Sequence, residues 1–582
     1  MNLTNLKKRM LLFAGAILLS AASAFAQNVQ INGKVVDENG DAVIGCAVMI
    51  KGTSTGVTTD IDGNFQISAP EGATLVFSSI SYVTRELQAA PDMNVVMEED
   101  TIQLEETVVV GYGVQRKSDV TGAISKVESS DLMNRTVTSA VDALGGKTSG
   151  VQLLSTSAAP GESPVIRVRG YSSNYSSEPL YIVDGLKVRS IGDIDPSEIE
   201  SMEILKDAAS AAIYGSEAGN GVVIITTKRA EAGKTTIQYD FQYAIQSVNR
   251  IPEVLNAEEY IQYYSEYGHV TQDMLNRFWD GETDTDWGAV AFENGHMQRH
   301  GISFQTAGEK SSVMMSLNYL DNNGIVTGDK DRYTRYNFNV NAEVKPFKWL
   351  TFGTNSSISF SKVSSVSANA GGIGGGIMTA VLELDPLTPV YYDTPPQFVN
   401  DLLAEGRPLM TNADGYYYGI SGFYPSGQIN PLQLVDISDS ERTAKSIRSN
   451  VYANLTPLPG LTITSRFGFS FNDSYSHSYS RIYYNNQWAN AEKPTVSQSS
   501  PQRAYWQWEN FANYLKSFGR HNLGAMVGIS YSEDTSQSLS TSINEISMND
   551  ENFAWIDFAG GNATKTISGI ETQTRKFSYF GV

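Results

Sequence analysis

The sequence predicts a mainly β protein built as a small β-sandwich, an α+β unit, and the first part, about ten strands, of a transmembrane antiparallel β-barrel. Three observations carry this expectation. From residue 235 onward, strands alternate apolar or aromatic side chains with amides, hydroxyls and charges over about 9–11 residues, the length that a tilted membrane strand needs. The composition favours strands and turns, with 30 Tyr and 50 Gly in 582 residues. Beyond the N-terminus no run approaches the roughly 18 continuous apolar residues of a membrane helix, so any crossing must be made by a closed sheet.

The first 26 residues read as a cleaved export signal. Lys7, Lys8 and Arg9 form the charged region, Met10 to Leu19 the apolar region, and Ala24-Phe25-Ala26 the cleavage site. Residues 27–98 alternate short β-rich runs with turn signals at Asn39-Gly40, Gly52, Gly56, Asp62-Gly63 and Gly72, the pattern of a small sandwich. Within it, "DIDG" (60–63) resembles the opening of a calcium loop but lacks the later ligands, so it reads as a hairpin turn. Cys46 is the single cysteine, which excludes a disulfide framework, and its strand-like setting makes it a small buried residue.

Residues 99–113 form an acidic linker that ends in a β-branched run. Residues 114–230 mix short helices and strands. Ser139, Asp195-Pro196 and Asp207 are expected to open helices, and the unbroken apolar run "GVVIITTKR" (221–229) to be a buried strand.

Residues 231–582 carry the long strands. In the first, Ile237, Tyr239, Phe241, Tyr243 and Ile245 share one face, and Gln238, Asp240, Gln242, Ala244 and Gln246 the other. "YNFNVNAEV" (336–344) and "LTITSRFGFSF" (461–471) repeat the pattern. Turns at "VKPFK" (344–348) and "TPLPG" (456–460), set against long insertions elsewhere, suit a barrel with short turns at one end and long loops at the other. A soluble sandwich also alternates, but its strands usually run about five or six residues. The apolar face is therefore expected to meet lipid and the amide face a lumen. Tyr505, Trp506 and Trp508 are expected in an interfacial girdle.

Formal charge is −21, from 42 Lys and Arg against 63 Asp and Glu, which argues against a nucleic-acid partner. With five His and no recognisable nucleophile motif, no catalytic residue is expected, and no cofactor or metal site is expected either.

The segment from Val151 to Arg229 resembles the plug domain of the SusC/RagA family of TonB-dependent outer-membrane transporters. The resemblance lies in "PGESPVIRVRGYSS" (160–173), "EPLYIVDG" (178–185), "DPSEIESMEILKDAASAAIYG" (195–215) and "NGVVIITTK" (220–228). Barrel segments "TDWGAVAFENG" (285–295), "YLDNNGIVTG" (319–328) and "LDPLTPVY" (384–391) also fit. Residues 27–98 resemble that family's carboxypeptidase-regulatory-like extension. "ETVVVGYG" (106–113) resembles its TonB box, which assigns Glu106, Thr107, Val108, Val109 and Val110 to coupling. The plug motifs contain Arg167, Arg169, Gly170, Asp184, Gly185, Glu203, Lys206 and Asp207. Inside a polar lumen, Arg167, Arg169, Asp184, Glu203 and Lys206 are expected to pair with the barrel wall, while Gly170, Gly185 and Gly215 serve as turns.

A plugged barrel of this kind needs about 22 strands. The ending "KFSYFGV" resembles the middle of a family barrel, so the chain is expected to be the N-terminal portion of a longer one. The resemblance implies active import of a large nutrient, a glycan or a peptide, across the cell outer membrane. TonB and the inner-membrane energising complex would supply the energy, and a SusD-like surface lipoprotein would form the lid. Aromatic side chains on loops and plug, namely Tyr171, Tyr175, Tyr416, Tyr417, Tyr418, Tyr424 and Trp488, are the candidates for stacking on sugar rings or packing on peptide side chains. A surface carbohydrate-binding or hydrolytic β-sandwich is the alternative function class, and it lacks the residues such chemistry needs.

Overall fold

The computed structural model describes residues 28–581 except 38–39, 54, 71, 80, 81, 83, 99–106, 111–112, 117–123, 134–135, 156, 158, 172–176, 232, 367–375, 424–427, 519–520 and 548–550. The export signal expected over residues 1–26 lies outside the described residues.

The N-terminal unit is a sandwich of two sheets. Asn28–Asp37 lies between Asn64–Pro70 and Asp92–Met97, and Ala47–Ile50 and Thr74–Ser78 form the centre of the second sheet. Alternate residues point inward, so Val35, Val48, Phe65, Phe77 and Val95 make the core, and Cys46 is buried among them. The Asp60 carboxylate accepts the backbone N–H groups of Asp62 and Asn64, which makes "DIDG" the turn into the next strand.

A five-stranded sheet organises the plug region in the order Ile124–Glu128, Ile199–Leu205, Val222–Thr227, Leu180–Val183, Leu186–Val188. The "VVIITT" strand is central, with its first four residues buried on both faces, as a continuous apolar run requires. Ser139, Asp195 and Asp207 each cap a short helix by accepting a backbone N–H.

Ten long strands then form one antiparallel sheet, each hydrogen-bonded to its neighbours in chain order from Thr235–Gln246 to Lys565–Gly581. The faces are those the alternation dictates. Tyr239, Phe241, Ile302, Leu317, Phe338, Val451 and Phe467 are exposed, whereas Arg299, Asn318, Arg335, Asn337, Arg448 and Asn450 are buried against the plug.

Long connections (247–294, 365–437, 481–494 and 544–564) all leave from one end of the sheet and two- or three-residue turns from the other. The two expected Pro turns are tighter than the sequence suggested. The strands run on to Phe347 and Leu458, and Pro346 and Pro457 sit at register shifts where a missing N–H leaves no ladder bond unmade. Gly460, in the second turn at φ 86°, lies so close to the Leu515 carbonyl that a Cβ would collide with it.

Directly opposed aromatics run across the outer face. Phe241 and His300 have ring centroids 4.9 Å apart, His300 and Tyr319 6.2 Å, and Tyr319 and Tyr336 4.9 Å. Near the short-turn end of the same strands, Phe347 stacks on Trp349 at 5.4 Å. The expected girdle needs one correction. Tyr505 is not on the outer face but buried in the plug's core cluster. Alternation forces this, because Tyr505, Gln507 and Glu509 share the inner face while Trp506 and Trp508 take the outer one. Trp506 packs between Phe467 at 6.0 Å and Tyr531 at 5.2 Å.

Candidate functional site

The inner wall grips the plug mostly through side-chain amides and guanidiniums aimed at plug backbone. Asn337 Nδ2 donates to the Asp193 carbonyl at 2.7 Å, Asn341 Nδ2 to the Lys228 carbonyl at 2.6 Å, and Asn450 Nδ2 to the Asp184 carbonyl at 2.7 Å. Gln507 Nε2 donates to the Gly185 carbonyl at 2.7 Å and its Oε1 accepts the Lys187 N–H at 3.3 Å. The turn they hold is strained into place: Asp184 has φ 49° and Gly185 φ 86°. A Cβ on Gly185 would collide with the Arg466 guanidinium, so this plug motif glycine exists for close approach to the wall.

Around Asp193 and Asp195 the grip becomes ionic. Asp195, only 1% exposed, meets Arg299 at 3.3 Å and Arg335 at 3.1 Å, and Asp193 meets Arg448 at 2.8 Å. Asn318 Nδ2 donates to Glu198 Oε1 at 2.7 Å. Burial works against each charge here. For Asp195 the guanidiniums of Arg299 and Arg335 outweigh burial and hold its carboxyl below the usual range. Glu198 lacks such direct pairing, so burial and the neighbouring Asp195 carboxylate push it up to about 8.

Because Glu198 holds its proton more tightly in the folded state, stability is greatest below its unfolded pKa and falls as pH rises toward 8. The expected slope in that window is at most about 1.4 kcal/mol per pH unit. Denaturant titration of plug docking from pH 5 to 9 should show this decline in the wild type, and Glu198→Gln should flatten it.

The plug charges expected to reach the wall mostly do not, which corrects the sequence reading. Glu203 is buried within the plug sheet and accepts from Ser201 Oγ, and Lys206 donates to Ser125 Oγ and the Ser149 carbonyl. Arg169, at φ 57°, donates its N–H to the Gly150 carbonyl just before Gly170 at φ 91°. The Arg167 guanidinium lies 5.2 Å above the Tyr171 ring. Asp207 is a helix cap. Asp184 gives its carboxylate to Thr227 and its carbonyl to Asn450 of the wall. Glu203 and Lys206 are met by neighbours within the plug, whereas the Arg167 guanidinium keeps two buried nitrogens without a hydrogen-bond partner. The ionic contacts fall to Asp193 and Asp195, on the short segment that precedes Ile199–Leu205, and to Glu217, which meets Lys576 of the last strand.

Thr107–Val110 pairs with Gly113–Arg116 in a two-stranded sheet of its own and is not a strand of the plug sheet. Glu106, Tyr175 and Tyr424 lie outside the described residues. Among the loop aromatics, Tyr171 (73%), Trp488 (58%) and Tyr416 (44%) are exposed, and Tyr417 is half-buried. Tyr418 is 2% exposed and cannot stack on a substrate, a second correction. Its strand pairs with Tyr391–Tyr392, which turns the ring inward to pack 5.3 Å from Tyr391 and donate its hydroxyl to Asp436.

Comparison with known proteins agrees with this geometry. Residues 31–109 match the CarboxypepD_reg-like domain and residues 116–222 the TonB-dependent Receptor Plug Domain. "TonB-dependent receptor SusC" of Bacteroides thetaiotaomicron is 32% identical over 90% of this chain and 52% of its own length. "TonB-dependent receptor P3" of Formosa agariphila is 31% identical over 97% of this chain and 54% of its own length. The chain thus spans about half the length of these curated relatives. In fold it matches the RagAB peptide importer in its open-open state, with TM-score 0.67 and 23% identity over 82% of this chain and 54% of that one. With both domain matches in the expected order, the chain is a homologue of SusC-type TonB-dependent receptors over most of its length.

Proposed function

We propose that this chain provides the sandwich, plug and first wall strands of an outer-membrane importer for a large oligosaccharide, energised from the periplasm through TonB. The observation that carries the reading is the character of the plug's hold. Amide-to-carbonyl bonds and a few ion pairs dominate it, each hydrogen bond contributing about 0.5–1.5 kcal/mol because water can replace it. An apolar interface would resist wetting, whereas this one can be exchanged for water when the plug is pulled. Thr107–Val110 is the segment proposed to be pulled. Its β-branched residues suit it to add as a strand to a partner sheet.

The outer face is proposed to contact lipid between the Tyr336 row and the Phe347–Trp349 pair, about 11 residues along one tilted strand and so one bilayer core. Neighbouring residues on the second strand test this. Ile302 is exposed on the outer face and Ser303 is half-buried on the inner. Ile302→Arg is expected to cost about 2–4 kcal/mol and to lower the folded amount in the membrane, whereas Ser303→Arg leaves it near wild type. Equal losses from both, measured by heat-modifiability on gels, would contradict the facing.

Tyr171, Tyr416 and Trp488 present exposed rings for sugar stacking, with Tyr175, Tyr417 and Tyr424 as further candidates. A SusD-like lipoprotein is the proposed lid over the long loops. The test offers labelled oligosaccharides and labelled peptides to cells with and without the full-length gene. Gene-dependent oligosaccharide uptake that a protonophore abolishes is expected. Uptake of peptides alone would reassign the substrate, and uptake indifferent to the protonophore would refute the coupling.

A further inference from the structure

The sixth and seventh strands, Ser438–Leu458 and Leu461–Ser480, continue beyond their exposed aromatic residues toward the long loops. Their register is unbroken there, with Asp439 opposite Tyr479, Glu441 opposite His477 and Thr443 opposite Tyr475. Parity therefore places Asp439, Glu441, Tyr475 and His477 on the same outer face as Val451 and Phe467, away from the plug. Ala554 and Trp555, on the connection before the last strand, pack against this face. The Ala554 carbonyl lies 2.7 Å from His477 Nε2, and the Trp555 ring packs 4.8 Å from the imidazole. The result is a cavity of about 390 Å³ lined by Asp329, Lys330, Glu441, Tyr475, His477 and Trp555 among others. Tyr475 and Trp555 keep 38% and 47% of their surface exposed.

The geometry points to a second binding site here, for a neutral saccharide, on the outside of the barrel wall and separate from the import path. Charge selects the ligand class. Asp439 is met by Lys330 at 2.6 Å and Arg481 at 2.6 Å, and Glu441 by Lys362 at 2.5 Å. Lys330 also meets Asp436 at 3.2 Å, so with Asp329 four carboxylates face three cations that are all engaged, and a phosphate gains no net attraction. What remains is two exposed ring faces beside carboxylate oxygens. Aromatic faces stack on the C–H face of a pyranose, and carboxylates accept from its hydroxyls. Tyr475 and His477 follow Phe471 by four and six residues, which at about 3.3 Å per residue and about 45° of tilt lifts the cavity roughly 10–15 Å along the membrane normal. That height suits either a surface-captured glycan or the sugar headgroup of an outer-leaflet glycolipid.

Full-length protein in detergent, probed on an array of neutral and anionic glycans and separately with an uncharged glycolipid (a glycosyl diacylglycerol) in mixed micelles, decides the matter. Binding to neutral glycans or to the uncharged glycolipid is expected, and the arm that responds identifies the source. Trp555→Ala and Tyr475→Ala should each weaken that binding at least tenfold, Trp555→Phe should largely restore it, and Tyr267→Ala, an exposed ring on another loop, should leave it unchanged. Absence of binding in both arms, preference for anionic glycans, or binding that survives Trp555→Ala and Tyr475→Ala would overturn the site. Because this assay needs no energised transport, failure of the import reading would leave its result intact.

Discussion

Asp195→Ala should loosen the plug from the wall by about 3–5 kcal/mol, because it leaves the buried guanidiniums of Arg299 and Arg335 without their shared carboxylate. Both arginines are nearly inaccessible, at 4% and 1% exposure, so water cannot take the carboxylate's place. The expected readout is a plug that becomes protease-sensitive at far lower urea, and a pore that leaks antibiotics normally excluded by size. The Lys345–Glu343 pair at 3.0 Å gives the contrast, since its lysine is 54% exposed. Lys345→Ala should change the same midpoint by no more than about 1 kcal/mol. Similar midpoints for the two variants would mean that the ionic cluster does not hold the plug.

Val109→Pro should abolish energised uptake while the protein still reaches the membrane and binds nutrient at the surface. Proline removes the N–H that a strand ladder needs, so Thr107–Val110 could no longer add to a partner sheet. Among the described residues this run pairs only with Gly113–Arg116, outside the plug sheet, so its loss should leave the plug folded. Normal uptake by the variant would show that energy enters elsewhere. A misfolded plug would show that the run serves the plug itself.

The wall was the most legible part of the sequence. Alternation over long strands assigns Ile237, Phe338 and Phe467 outward and Asn337 and Arg466 inward, since a period of two admits no other arrangement without a bulge. The caps at Ser139, Asp195 and Asp207 were equally readable, being local chemistry. The partners of the plug charges were not. Glu203 and Lys206 found neighbours within the plug, whereas Asp193 and Asp195 met arginines more than a hundred residues away. A signal for these was present: Arg299, Arg335 and Arg448 all occupy inward positions, and a buried guanidinium demands a carboxylate. Tyr418 was misjudged because a two-residue pairing with Tyr391–Tyr392 decides its direction, and that pairing bridges an irregular loop.

The central claim is that the plug rests against the wall through the Asn450 and Asp195 contacts and leaves them when pulled from Thr107–Val110. Maleimide labelling of an Asn450→Cys variant in living cells tests it most directly. Asn450 is 3% exposed beneath the Asp184 carbonyl, and the native Cys46 will not compete, being fully buried with its thiol pushed up by that burial. Labelling is predicted to be slow at rest, to accelerate when nutrient and proton-motive force are both present, and to stay slow when Val109→Pro is added. Equal labelling rates under all three conditions would contradict the account.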